Sequence, residues 1–180
     1  MVPLLNLAGT VGDSIVDGPG IRFTVFAQGC CFDCPGCQNP QTHEFGVGED
    51  VSVDDLVTRI RANPLVKGVT FSGGDPFFQA EAFAVLAARL KELGYEVASY
   101  TGFTWEALLS SGAPAQRELL RYLDILVDGP FVLALLNLNL RFRGSENQRI
   151  IDVPRSLECL ASAASSVAAP VLCTARRWVG

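Results

Sequence analysis

Ile21-Arg-Phe-Thr-Val-Phe-Ala27 runs without a break into Gln28-Gly-Cys30-Cys31-Phe-Asp-Cys34-Pro-Gly-Cys37-Gln-Asn-Pro40. The first half is β-branched and aromatic, carries no charge after Arg22, and reads as a buried strand. The second half is a Gly- and Cys-rich loop that continues to about Gly48. Beyond it the rhythm of strand followed by helix persists. Ser52 caps a helix whose Val53, Leu56, Val57 and Ile60 share one face, with Asp55 completing a capping-box-like start. Val69–Phe71 is a short strand ending in Gly73-Gly74. The helix after it carries Phe83, Leu86, Leu90 and Leu93 as an apolar stripe and has Gly94 at its C-terminal cap. Glu96–Tyr100 is a strand, and Thr104 caps a helix bearing Trp105, Leu108 and Leu109. A further helix covers Ala115–Tyr122, Ile125–Val127 is a strand ending in Asp128-Gly129, and Arg149–Val153 is another. From Ser156 the chain predicts a helix and then a weak strand near Val171.

Alternation of this kind implies an α/β fold with parallel strands and right-handed crossovers. Five to six mainly parallel strands are too few to close an eight-stranded barrel. The expectation is a partial (β/α) barrel with its chemistry at the C-terminal ends of the strands. The cysteine loop, Gly73-Gly74-Asp75-Pro76 and Asp128-Gly129 all fall at such ends.

The chain has 180 residues, which suits a single domain over 1–180. With 49% hydrophobic and 18% charged residues it can bury a sizeable core. Fourteen Lys and Arg against 19 Asp and Glu give a formal charge of −5, so no basic stripe marks it for nucleic acid. The mean hydropathy of +0.29 is high. However, the most apolar stretches, Phe131–Leu140 and Cys159–Ala175, are too short or too polar to span a bilayer. Met1-Val-Pro-Leu-Leu-Asn6 lacks the basic start of a secretory signal, so a cytoplasmic location is expected.

Four of the six cysteines crowd between Cys30 and Cys37, a poor arrangement for long-range disulfides and a good one for a metal. Cys159 and Cys173 read as ordinary buried thiols. Two three-ligand registers are open. Cys31, Cys34 and Cys37 begin a ferredoxin-like run, but the fourth ferredoxin slot holds Gln41. Cys30, Cys34 and Cys37 form C-x3-C-x2-C, which leaves a four-iron cluster one thiolate short and one iron free for an outside ligand. A zinc-bound structural module is the alternative of another class; it would need Cys31 or His43, the only histidine, as a fourth ligand.

C-x3-C-x2-C after a first strand and before a Gly-Gly-acid turn is the pattern of the radical S-adenosylmethionine (SAM) superfamily. Within it, four stretches resemble the glycyl-radical-enzyme activases, and among them those of anaerobic ribonucleoside-triphosphate reductase. They are Ser14-Ile-Val-Asp-Gly-Pro-Gly-Ile-Arg22, the Gln28–Pro40 loop, Phe71-Ser-Gly-Gly-Asp-Pro76, and Asp124–Phe131 leading into Arg141-Phe-Arg-Gly-Ser-Glu-Asn-Gln148. The resemblance covers about residues 5–157. The tail after it is unassigned, and Cys31, Cys159 and Cys173 have no family role.

The resemblance implies a [4Fe-4S] cluster on Cys30, Cys34 and Cys37. SAM would meet Gly73, Gly74 and Asp75 with its methionine part, Gly36, Cys37 and Gln38 with its adenine, and Asp128 and Gly129 nearby. Tyr100-Thr101-Gly102 would face the same pocket, and Asp17–Arg22 would shape its mouth. Arg141 and Arg143 are either partner contacts or a solvated face. The implied activity is reductive cleavage of SAM to a 5′-deoxyadenosyl radical, which generates a glycyl radical on the partner enzyme. An external donor such as a flavodoxin-type protein would supply the electron. No catalytic side chain beyond the cluster and SAM is required. Activation of another glycyl-radical enzyme, such as pyruvate formate-lyase, is the nearest alternative.

Overall fold

The computed structural model describes residues 3–163 and 172–179. Seven strands form one mixed sheet in the order β3-β1-β2-β4-β5-β6-β7. In chain order they are β1 (Leu4–Ser14), β2 (Arg22–Ala27), β3 (Glu49–Ser52), β4 (Gly68–Gly73), β5 (Glu96–Tyr100), β6 (Ile125–Asp128) and β7 (Arg149–Asp152). The helices are α1 (Val53–Arg61), α2 (Ala80–Glu92), α3 (Trp105–Ser110), α4 (Pro114–Tyr122), α5 (Val153–Ala163) and α6 (Arg176–Val179).

The expectation of five to six mainly parallel strands is corrected. Only β2, β4, β5 and β6 run parallel. β1 pairs antiparallel with both β2 and β3, and β7 pairs antiparallel with β6. The parallel centre follows from the helical crossovers, and the edges are antiparallel because no α-helix lies between β1 and β2, between β2 and β3, or between β6 and β7 to carry the chain back for a parallel pairing.

Local signals behave as the residues dictate. Ser52 Oγ accepts the Asp55 N–H (3.1 Å), and Val53, Leu56, Val57 and Ile60 are all buried. Thr104 Oγ1 caps α3 through the Ala107 N–H (3.3 Å). Leu93, expected in the apolar stripe, caps α2 instead and is 43% exposed. The strand expected near Val171 falls outside the described residues; just past it, Thr174 bridges to Ile151 of β7. Cys159 and Cys173 are half-buried, with their Sγ atoms 3.6 Å apart.

The two faces of the sheet bury different things. Phe23, Val25, Ala27, Val69, Phe71, Val97 and Leu126 join α1 to α4 in the main apolar core. A second, smaller cluster joins Ala98, Ile125, Val127 and Ile150 to Ala175 and Trp178, with Tyr100 and Phe142 packed on it. Among the described residues, no helix is long and apolar enough to cross a membrane.

Candidate functional site

At the C-terminal ends of β2, β4, β5 and β6 opens a cavity of about 590 Å³. Cys30, Cys34 and Cys37 line it together; Cys31 is exposed and does not. Phe32 decides this division. Its ring packs edge-on against Phe103 (4.9 Å between centroids) and lies 5.8 Å from Phe78. That anchor turns position 32 inward, so Cys31 faces solvent. The loop is tied down by its backbone: Gly29 N–H donates to the Thr42 carbonyl (2.8 Å), Cys30 N–H to His43 (3.0 Å), and Asp75 N–H to Gly29 (2.9 Å).

The spacing of the last two cysteines is a turn. Cys37 N–H donates to the Cys34 carbonyl (3.0 Å) across Pro35-Gly36, with Gly36 at φ +76°. Proline then glycine with positive φ is the chemistry of a type II turn. Asn39 N–H points at Cys37 Sγ (3.4 Å), a contact of the kind that tunes thiolate ligands. Burial pushes the Cys30 thiol up to about 11.

Asp75 lies on the cavity wall, buried, with both carboxylate oxygens in use. Oδ1 accepts the Phe77 N–H (2.9 Å), and Oδ2 accepts Thr101 Oγ1 (3.0 Å) and the Gly102 N–H (2.9 Å). One side chain thus locks the ends of β4 and β5 together, and burial pushes its pKa up to about 6. Gly73 and Gly74 line the cavity beside it. They are glycines because the chain after β2 lies against them: a Cβ on Gly73 would stand 2.6 Å from the Ala27 carbonyl, and one on Gly74 would strike the Gly29 carbonyl.

The remaining sequence candidates divide. Cys37, Gln38, Tyr100, Thr101, Gly102, Gly129 and Asp17 line the cavity. Gly36 does not; it backs onto Leu133 and Phe131. Asp128 is buried behind the wall, where Oδ2 accepts the Trp105 N–H (2.7 Å) and the carboxylate pairs with Arg149. Arg22, expected at the mouth, is buried beneath it. Its guanidinium donates to Thr70 (2.6 Å), Glu96 (2.9 Å) and the Val69 carbonyl (3.0 Å), and burial pulls its pKa down to about 10. Arg141 is exposed, whereas Arg143 belongs to the cavity.

Arg143 is the one Lys or Arg among the lining residues. Its Nη1 donates to the Gln148 carbonyl (2.8 Å), while Nε is buried with no partner. Phe26, Phe131, Phe142 and Ser72 also line the space without having been singled out from sequence. Phe26 and Ser72 were legible in principle, since each stands one residue from a strand end. His43 lines the cavity too, its Nδ1 3.6 Å from Asp33. Among the described residues, no three Cys, His, Asp or Glu side chains gather around a point where one metal ion could sit. A four-iron cube takes one thiolate at each corner, so its ligands ring a space rather than converge. Cys30, Cys34 and Cys37 line one cavity in this way.

Comparison with known proteins settles the family. The activating protein of anaerobic ribonucleoside-triphosphate reductase from Vibrio cholerae is 38% identical over 148 residues, 76% of this chain and 90% of its own length. This chain belongs to that family of activating proteins. The Escherichia coli K12 member is 35% identical over 146 residues, covering 74% of this chain and 90% of its own. The member from Enterobacteria phage T4 is 31% identical over 142 residues, covering 75% and 86%. The 4Fe-4S single cluster domain family matches residues 16–151. Among solved structures, QueE from Escherichia coli aligns over 56% of this chain and 54% of its own at 18% identity and a TM-score of 0.45, a likeness too slight to carry an argument.

Proposed function

We propose that this chain is a radical SAM activating enzyme that generates a glycyl radical on anaerobic ribonucleoside-triphosphate reductase. The observation that carries the reading is the division within the cysteine loop, three thiols facing one cavity and the fourth facing solvent. When bound, the cluster and SAM supply one-electron cleavage of the sulfonium, giving methionine and a 5′-deoxyadenosyl radical that takes the α-hydrogen of a partner glycine.

The chain's own residues do the rest. Cys30, Cys34 and Cys37 would hold the cluster, each as the thiolate that iron coordination requires. Gly73 and Gly74 bring backbone to the methionine part of SAM. Asp75 fixes Thr101 and Gly102 in place around it. Arg143, the one Lys or Arg on the cavity wall, supplies the positive charge that a free carboxylate needs. Cys37, Gln38 and Gly129 flank the nucleoside, while Gly36 and Asp128 act from behind the wall as turn and anchor. The phenyl rings of Phe26, Phe32, Phe131 and Phe142 exclude water from a space where a carbon radical must meet only its target.

The whole chain is read as one radical SAM domain, its sheet an incomplete barrel with α1 to α4 on one face and the short α6 on the other. A flavodoxin-type protein in a reducing cytoplasm is the proposed electron donor. The test is to incubate the reconstituted protein anaerobically with SAM, reductant and either the reductase or pyruvate formate-lyase. A glycyl-radical electron paramagnetic resonance signal is expected with the reductase alone. A signal only with pyruvate formate-lyase would reassign the partner, and none with either would overturn the reading.

A further inference from the structure

The segment 172–179 lies beyond the residues the family matches, yet it is built into the sheet. Thr174 bridges to Ile151, Asp152 N–H donates to the Cys173 carbonyl (2.8 Å), and Ala175 N–H donates to the Ile150 carbonyl (3.1 Å). This edge turns α6 over the cavity side of the sheet and buries Trp178 completely. The indole is gripped all round. Its Nε1 donates to Glu96 (3.4 Å), the Arg22 guanidinium lies 5.1 Å from the ring centroid, and Phe142 meets it edge-on at 5.4 Å. A Cβ on Gly18 would stand 2.6 Å from the ring, so the loop carrying Asp17 lies directly on the indole.

Two of these contacts lead to the cavity wall. Asp17 and Val16 line it from the Gly18 loop, and Phe142 and Arg143 line it from the opposite loop. Phe142 has φ +54°, a conformation a phenylalanine keeps only when its surroundings impose it. Two things impose it here: the Tyr100 hydroxyl donating to its carbonyl (2.9 Å) and the indole against its ring. Tyr100 itself lines the cavity.

We propose that the C-terminal segment is part of the active site and that Trp178 is its positioning residue, wedged between the Gly18 and Phe142 loops so that Asp17, Tyr100 and Arg143 are held in place on the cavity wall. The assignment rests on the reading of the cavity as the SAM site. It places a determinant of SAM affinity beyond the residues 16–151 that the 4Fe-4S single cluster domain matches.

The test compares Trp178→Phe and Trp178→Ala with wild type in three measurements on reconstituted protein. These are iron content, SAM affinity from the perturbation of the cluster spectrum, and hydrogen exchange at residues 14–22 and 141–144. The cysteine loop does not touch the indole, so iron content should be unchanged in both variants. Trp178→Ala should weaken SAM binding by about tenfold or more, because misplacing wall groups by an ångström is costly, and should speed exchange in both loops. Trp178→Phe, which keeps an aromatic wedge, should stay within about threefold of wild type. If Trp178→Ala fails to fold, Phe142→Leu removes the same ring contact and should show the same two effects to a smaller degree. A lower melting temperature with SAM affinity and loop exchange both at wild-type values would overturn the proposal. If wild type binds no SAM, the functional reading fails, and exchange in the two loops still decides whether the indole holds them.

Discussion

The two faces of the central sheet solve different problems with alternate residues of the same strands. On β2, Phe23, Val25 and Ala27 go to the helices, while Arg22, Thr24 and Phe26 go to the cavity side. On β4, Val69 and Phe71 oppose Thr70 and Ser72 in the same way. The helix face is held mainly by apolar contact, with polar pairs such as Arg89–Asp54 and Lys91–Asp124 only at its margin. The cavity face is held by a polar network, with Thr70 and Thr24 both bonded to Asp17 and Arg22 spanning Thr70 and Glu96. A face that must receive a charged nucleotide cannot be filled with hydrocarbon, so its order comes from hydrogen bonds and from one indole.

If the comparison holds, helix-face changes should cost stability and cavity-face changes should cost binding. The largest stability effect is expected for Phe83→Ala, which empties the fully buried space against Phe71 and should cost about 3–5 kcal/mol in urea unfolding. SAM affinity per folded molecule should be unchanged; a large loss of affinity would mean the faces are coupled. Arg22→Ala, which takes the guanidinium from Thr70 and Glu96 in the cavity-side network, should weaken SAM binding and also cost up to about 3 kcal/mol, moderated by the Arg177 contact that Glu96 keeps.

Asp75 gives a pH signature. Its folded pKa of about 6 stands above the ordinary 3.8, so the folded state holds a proton that the unfolded chain releases. Stability from this group is therefore full below about pH 4 and lost as pH rises through about 6, a change of about 2–3 kcal/mol. Urea unfolding from pH 4 to 7 should show this decline in wild type and lack it in Asp75→Asn; parallel curves would contradict it. The smallest effect is Ser52→Ala, far from the site on the helix side, which should cost about 1 kcal/mol and leave SAM binding alone.

Between Arg22 and Asp128 the elements other than β3 were legible because parallel strand-helix units carry strong, separate periodicities. β5 matches its expected residues, Glu96–Tyr100, end to end. β1 was not legible. Gly9 and Gly12 interrupt its alternation, and its outer half is largely solvent-facing, so no run of apolar residues marks it. β3 is four residues, two of them acidic, and is a strand only because β1 lies beside it.

The site was legible where chemistry is local, as in the three inward cysteines and the strand-end glycines. Asp128 read as a cavity residue because strand ends usually are, but its carboxylate is claimed by Arg149 and the Trp105 N–H. Trp178 could not be read at all. Its partners Gly18, Arg22, Glu96 and Phe142 are scattered through the chain, and nothing in the sequence near it announces them.

Three cysteines of the loop face the cavity and Cys31 faces solvent. Reconstituted wild type, Cys30→Ser and Cys31→Ser should be given SAM and dithionite anaerobically and assayed for 5′-deoxyadenosine. The prediction is that Cys30→Ser abolishes the product and Cys31→Ser retains it. Loss in Cys31→Ser with activity kept in Cys30→Ser would contradict the geometry of the loop.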